Sequence, residues 1–365
     1  MIASPRARPE RPRVGVILVG PDPDSPRGGV AVAVGGFAAA LQAHGLLVDV
    51  VPTYRPGRRV RDLPGALMAL RHTVRRARHA GIEPVVWAHA GGPVSMARKV
   101  AVLRRARRFG VRTLLQLHSD HTEAVLSQRS TRVLARQGLA LADDLTTVAP
   151  YWQRLVAQRL RRGRVHVVSN PLPAAAERVA RTPIVRRIDG PLRLLTMTHL
   201  APGKGLELAI DGVQHGPEDA ILEIAGQGPL REALEARVGE LGLDRRVRFL
   251  GWVDGQAKDA AFRRADVFVL PTRNDSFGMG FIEAACYGLP GVALRYKAVP
   301  EVVLHDRTGR IVDEASPQAL GVELRRLSDP AERTRLGEAA RRHALDHHGQ
   351  DAIVRRIRAI LDHAP

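Results

Sequence analysis

A chain of 365 residues is longer than one ordinary core and suits two domains of roughly 150 to 180 residues each. With 45% apolar and 25% charged residues, no run long and apolar enough to span a bilayer, and a single cysteine, Cys286, the composition excludes a membrane-embedded protein, an internal disulfide and a thiolate metal cluster. The formal charge of +19, from 56 basic against 37 acidic residues, points to an anionic partner, although the skew to arginine over lysine fits a GC-rich coding bias.

Along the chain, residues 1–12 are expected to be a disordered lead-in. The apolar segment Val14 to Val19 is too brief for a signal sequence and reads as the first strand. Valine- and leucine-rich strand candidates then alternate with longer stretches of helical spacing: Arg13 to Val19, Leu46 to Val51, Pro84 to Ala88, Arg112 to Leu117, Leu145 to Ala149 and Val165 to Val168. The stretch Asn170 to Gly190, with Pro171, Pro173 and Pro183, shows no usable apolar period and is expected to hold the interdomain linker. The alternation restarts at Leu192 to Met197, Ala220 to Ala225, Arg246 to Leu250, Asp266 to Leu270, Gly291 to Leu294 and Arg310 to Val312. The expected division is a first domain over 13–175, a linker over 176–191, a second domain over 192–345, and a C-terminal helix over 346–365 with a return to the first domain allowed for. The fold class is α/β, two doubly wound Rossmann-like domains facing each other across a cleft.

Basic residues concentrate in the first half. Arg71, Arg75 and Arg78 share one helix face at i, i+4, i+7 spacing, beside Leu67, Leu70 and Val74. Such a face suits anionic lipid headgroups, and it also suits plain solvent. Nucleic acid is not expected, because no aromatics interleave with these arginines. A reducing compartment is expected from the single cysteine, which places the protein in the cytoplasm, with contact at the inner face of the membrane as a further expectation.

The chemistry concentrates after the strand Ala265 to Leu270. A proline stop at Pro271 is followed by a loop and a glycine-flanked helix start, Phe277-Gly278-Met279-Gly280, with Asp275 and Glu283 separated by seven residues. Carboxylates accept hydrogen bonds from neighbouring sugar hydroxyls, and bare amides at a helix N-terminus suit a diphosphate. Without a ligand, Asp275 would be a turn residue and Glu283 an exposed helix carboxylate.

The segment Asp275 to Glu283, continued by Ala284-Ala285-Cys286-Tyr287-Gly288-Leu289-Pro290, resembles the signature of the family 4 retaining glycosyltransferases, which have the GT-B fold. Other resembling motifs occur in order: the glycine loop Arg27-Gly28-Gly29-Val30, the strand-end His118, Lys204-Gly205 after the first strand of the second half, Gly226-Gln227-Gly228-Pro229, and Val247 to Gly251. The resemblance implies catalytic roles for His118, Lys204 and Asp275. It implies donor contacts from Gly28, Gly29, His199, Lys204, Gly226, Gly228, Asp275, Phe277, Gly278, Met279 and Glu283, with Glu283 on the ribose, Asp275 on the hexose and Lys204 neutralising the leaving diphosphate.

Four departures stand out. Thr198-His199 replaces the family's Gly-Arg, Asp275 replaces the usual Glu, Ser169-Asn170-Pro171 replaces Pro-Asn-Gly, and Lys297-Ala298 replaces a Gly-Gly pair before Pro300-Glu301. Lys297 would therefore present its charge to the cleft or to solvent. The expected activity is metal-independent, retaining transfer of a hexosyl group from a nucleoside-diphosphate sugar to a hydroxyl acceptor, lipid-linked or polysaccharide, in cell-surface glycoconjugate synthesis. A UDP-sugar is the expected donor, with no separate cofactor. Rival expectations are a non-catalytic sugar- or nucleotide-binding relative and another enzyme of the same fold, an epimerase or a phosphorylase.

Overall fold

The computed structural model describes residues 13–24, 29–55, 62–118, 123, 129–160, 164–182, 184, 189–275 and 277–363. The expected lead-in over 1–12 lies outside the described residues. Each of the twelve strand-like stretches forms a strand.

The first six are β1 (Arg13–Pro21), β2 (Leu47–Tyr54), β3 (Ile82–Ala90), β4 (Arg112–Leu117), β5 (Asp144–Thr147) and β6 (Val165–Val167). They form one parallel sheet in the order β2-β1-β3-β4-β5-β6. The second six are β7 (Arg193–Met197), β8 (Ile221–Ala225), β9 (Val247–Gly251), β10 (Val267–Leu270), β11 (Gly291–Leu294) and β12 (Gly309–Val312). Their order is β12-β11-β10-β7-β8-β9, again all parallel.

These strands read as continuous apolar runs because both faces are covered. In the second sheet Leu194, Val267, Val269, Val292 and Leu294 enter one core, and Leu195, Phe268, Leu270 and Ala293 enter the other. Successive side chains thus alternate between two buried faces, the two-residue period of a pleated strand. The strand order reverses between β7 and β10, and the helices that follow those two strands pack in different cores, on opposite faces of the sheet.

The chain divides into two compact units. One comprises Met1–Thr147, Val156–Val168 and Val354–Pro365, and the other Val148–Leu155 and Ser169–Ile353. A helix, Ala174–Ala180, runs through the start of the stretch expected to be linker. Its small residues Ala176 and Ala180 are buried in contact with helices Met279–Cys286 and Pro330–His348, and Glu177 accepts from the Gln350 amide at 2.9 Å. A seven-residue alanine-rich helix carries almost no apolar period, so only its tertiary contacts reveal it.

The expected boundary at residue 346 falls inside helix Pro330–His348. The chain instead breaks at Gly349 before helix Gln350–Asp362. Within the first unit Arg112 of β4 donates to the carbonyls of Ile360 and Leu361 at 2.8 and 2.9 Å, satisfying acceptors that the end of that helix leaves open. Asp143 and Asp144, at the start of β5, make structural contacts. Asp143 accepts from the Thr113 amide, and Asp144 holds Arg112 at 2.7 Å and His166 at 3.2 Å.

Candidate functional site

The two loops at the reversal point of the second sheet are zipped together. After β7, Gly203 and Gly205 take positive φ angles of 81° and 73°, and a Cβ on Gly205 would meet the Pro271 carbonyl oxygen at 2.0 Å. That close approach lets the Gly203 carbonyl accept from the Arg273 amide at 2.9 Å and brings Lys204 Nζ to 2.5 Å from the Asn274 carbonyl oxygen. The same ammonium lies 3.9 Å from Asp275 Oδ2. The sequence-expected pair Lys204 and Asp275 is therefore brought together by the backbone of two adjacent strand ends.

Asp275 does more than turn the chain. Its Oδ1 accepts from the amides of Gly278 at 2.9 Å and Phe277 at 3.3 Å, closing the loop ahead of helix Met279–Cys286. Gly278 sits at φ 87°, a conformation glycine adopts without penalty, and the Phe277 ring is buried edge-on against His348. Two of the three amides expected to meet a sugar diphosphate, those of Phe277 and Gly278, thus donate to Asp275.

Four residues later on the same helix, Glu283 is largely shielded and ion-paired. Its Oε2 lies 2.7 Å from Lys258 Nζ, a residue of helix Gly255–Arg264 that the motifs did not indicate. An exposed helix carboxylate is thereby ruled out. Cys286, one turn further, is inert, because burial pushes its thiol up to about 12.

Gly226 and Gly228 have a packing reason for being glycine. Cβ atoms there would meet the Thr198 and Leu200 carbonyl oxygens at 1.8 and 2.3 Å. The loops after β7 and β8 run backbone to backbone, with Leu200 donating to the Gln227 carbonyl at 2.9 Å. His199 is exposed between them, and Met279 is half-buried at the helix start. Lys297, at φ 46°, points neither simply to solvent nor freely outward. Its Nζ lies over the rings of Tyr296 and Trp152, at 5.2 and 5.6 Å.

In the first unit Gly29 is exposed and begins helix Gly29–Ala43, whereas Gly28 lies outside the described residues. His118 follows β4, is buried, and its Nε2 lies 2.8 Å from Nδ1 of His89 on β3. Sequence reasoning passed over His89, because the contact depends on which strands become neighbours. On the expected basic face of helix Leu63–His79, Arg78 donates to the Phe109 carbonyl at 2.6 Å, and off that face Arg76 pairs with Asp49.

Residues 183–343, which hold the Lys204, Asp275 and Glu283 positions, match the family described as Glycosyl transferases group 1. The match lies in the second half of the chain. A GDP-mannose-dependent alpha-(1-6)-phosphatidylinositol monomannoside mannosyltransferase of Mycolicibacterium smegmatis is 27% identical, over 91% of this chain and 94% of that protein. A D-inositol 3-phosphate glycosyltransferase of Corynebacterium glutamicum is 35% identical over a shorter stretch, 39% of this chain and 32% of that protein. Among solved structures, Anabaena HepE in complex with UDP superposes with a TM-score of 0.74 at 16% identity, covering 95% of this chain and 99% of that one. Sucrose-phosphate synthase from Thermosynechococcus elongatus gives 0.75 at 20% identity, covering 96% and 98%. The chain therefore has the two-domain GT-B fold.

Proposed function

We propose that this protein is a glycosyltransferase that moves a hexosyl group, with retention, from a nucleoside-diphosphate sugar to a hydroxyl acceptor in cell-surface glycoconjugate synthesis. The observation that supports it most is the cluster of Lys204, Asp275 and the Phe277 and Gly278 amides at the strand reversal of the second unit. A cation and backbone amides at one point stabilise a leaving diphosphate, whose charge grows as the glycosidic C–O bond breaks. On binding, the diphosphate displaces Asp275 from those amides and takes the Lys204 ammonium. Asp275, released, accepts from hexose hydroxyls, while Glu283 accepts from ribose hydroxyls with Lys258 holding its second oxygen. The acceptor attacks on the face the diphosphate vacates, so that leaving-group phosphate oxygen takes the acceptor proton and no protein nucleophile is needed.

The donor base sets two choices against each other. A UDP-sugar is the expectation from sequence, and GDP-mannose is the donor in the name of the relative that aligns over most of the chain. That relative's lipid acceptor supports a lipid-linked hydroxyl here. Transfer from both donors, measured in the presence of a chelator on the wild type, Lys204→Ala and Glu283→Ala, tests the proposal. Metal-independent turnover in the wild type and a loss of at least about 100-fold in each variant are expected. Full turnover in both variants, or turnover abolished by chelation and restored by a divalent ion, would count against it.

A further inference from the structure

Asp275 stands where the family that the segment resembles has glutamate, and its shorter side chain makes contacts that a glutamate is too long to favour. Its Oδ1 accepts from the amides of Gly278 at 2.9 Å and Phe277 at 3.3 Å, three and two residues further along the chain. Aspartate is the acidic residue that closes such short rings with its own backbone, and one more methylene carries a carboxylate past them. The other oxygen, Oδ2, lies 3.9 Å from Lys204 Nζ. One carboxylate therefore engages two amides and the ammonium that the proposed function assigns to a diphosphate. No acidic residue follows in the first turn of helix Met279–Cys286, so Asp275 supplies the negative charge at that helix end.

The backbone on either side is braced, so that only the Asp275 side chain has to turn to release these groups. Thr272 Oγ1 accepts from the Asn274 amide at 3.0 Å and donates to the Gly203 carbonyl at 3.2 Å. That carbonyl also accepts from the Arg273 amide at 2.9 Å. Beyond the turn, the Phe277 ring is buried against His348, 5.4 Å between centroids. The Asp275 side chain is 21% exposed and can rotate towards water without becoming a buried, unpaired charge.

We propose that Asp275 is an internal competitor for the diphosphate subsite, which loosens the hold on the diphosphate once the sugar has gone. On the proposed function, on which this rests, any diphosphate entering the subsite displaces a carboxylate that already accepts two charge-assisted hydrogen bonds. Its affinity is lowered by the free energy of those bonds. A nucleotide sugar offsets that loss, because its hexose hydroxyls donate to the released carboxylate. A nucleoside diphosphate has no hexose and offsets nothing. After transfer, Asp275 returns to the amides as the diphosphate leaves.

The test measures binding of UDP, GDP and ADP to the full chain by calorimetry, in the wild type, Asp275→Glu and Asp275→Ala, beside transfer from the matching nucleotide sugar. The diphosphate that the wild type binds should bind about tenfold more tightly to Asp275→Glu. The gain should be at least as large in Asp275→Ala, where the opposing charge is gone as well. Transfer by Asp275→Ala should at the same time fall at least about tenfold, through lost hexose contacts. A residue that only turned the chain, or only touched the sugar, would not tighten diphosphate binding when replaced. Asp275→Asn keeps both acceptor bonds and guards against variants that fail to fold; its uncharged bonds are weaker, so it should bind the diphosphate several-fold more tightly than the wild type. Unchanged or weaker diphosphate binding in the variants that fold would overturn the inference and leave the donor site standing. A wild type that binds none of the three diphosphates would overturn both.

Discussion

The four lysines of this arginine-rich chain occupy four distinct environments, and three of them bear on chemistry: Lys204 against Asp275, Lys258 against Glu283, and Lys99 in the buried cluster with His89. Lys204, Asp275 and Glu283 were legible because their spacing forms a motif along the chain. Lys258, Asn274 and His89 were not, because each meets its partner across a fold contact. His89, for example, pairs in register with Gln116 of β4, which delivers it to His118 two residues on. Burial of Lys99 lowers its pKa from 10.5 to about 7. With the folded value below the unfolded one, the unfolded chain binds more protons between about pH 7 and 10.5, so stability rises with pH across that window. Lys99→Met should therefore stabilise the protein at pH 7 by a few kcal/mol, on the order of the cost of burying the ammonium, and flatten that rise. Denaturant midpoints measured from pH 6 to 10 check it. An equal midpoint shift at every pH would show that packing rather than charge is responsible.

At the scale of elements, the strands were legible and one helix was not. A parallel strand covered on both faces must be apolar at every position, which is how Val267 to Leu270 and Gly291 to Leu294 announce themselves. Helix Ala174–Ala180 is held by Glu177 and buried alanines rather than by any pattern of its own. The loops at the site depend on backbone approach, and Gly205 is the tightest point, with a Cβ position 2.0 Å from the Pro271 carbonyl. Gly205→Ala should destabilise the second unit by at least about 2 kcal/mol and separate Lys204 from Asp275, through both strain at positive φ and the clash. Gly239→Ala, in helix Arg231–Glu240 with open space around it, should be neutral or stabilising by up to about 1 kcal/mol. Thermal unfolding of the pair decides the point, and similar losses in both would show that the loop contact does not matter.

Across the whole molecule, much of the +19 charge has structural employment. Arg112 closes a helix end, Arg246 donates to the Val213 and Pro217 carbonyls, Arg237 pairs with Asp211, and Arg310 lies between Glu323 and Glu332. An excess of positive charge read from composition therefore overstates what is left for a partner, and on the basic face of helix Leu63–His79 Arg78 is taken up by the Phe109 carbonyl. What remains is a chain that matches the group 1 glycosyltransferases over residues 183–343 and whose second unit gathers cations, carboxylates and amides at one strand reversal. The most direct test is the unfolding midpoint of the full chain with UDP-, GDP- and ADP-sugars, in the wild type and in Glu283→Ala. One nucleotide class near 100 times its Kd should stabilise the wild type by about 2.7 kcal/mol, a rise of several degrees, and leave Glu283→Ala unmoved. Protection by none of the three classes, or equal protection of wild type and variant, would contradict a nucleotide-sugar site at Glu283.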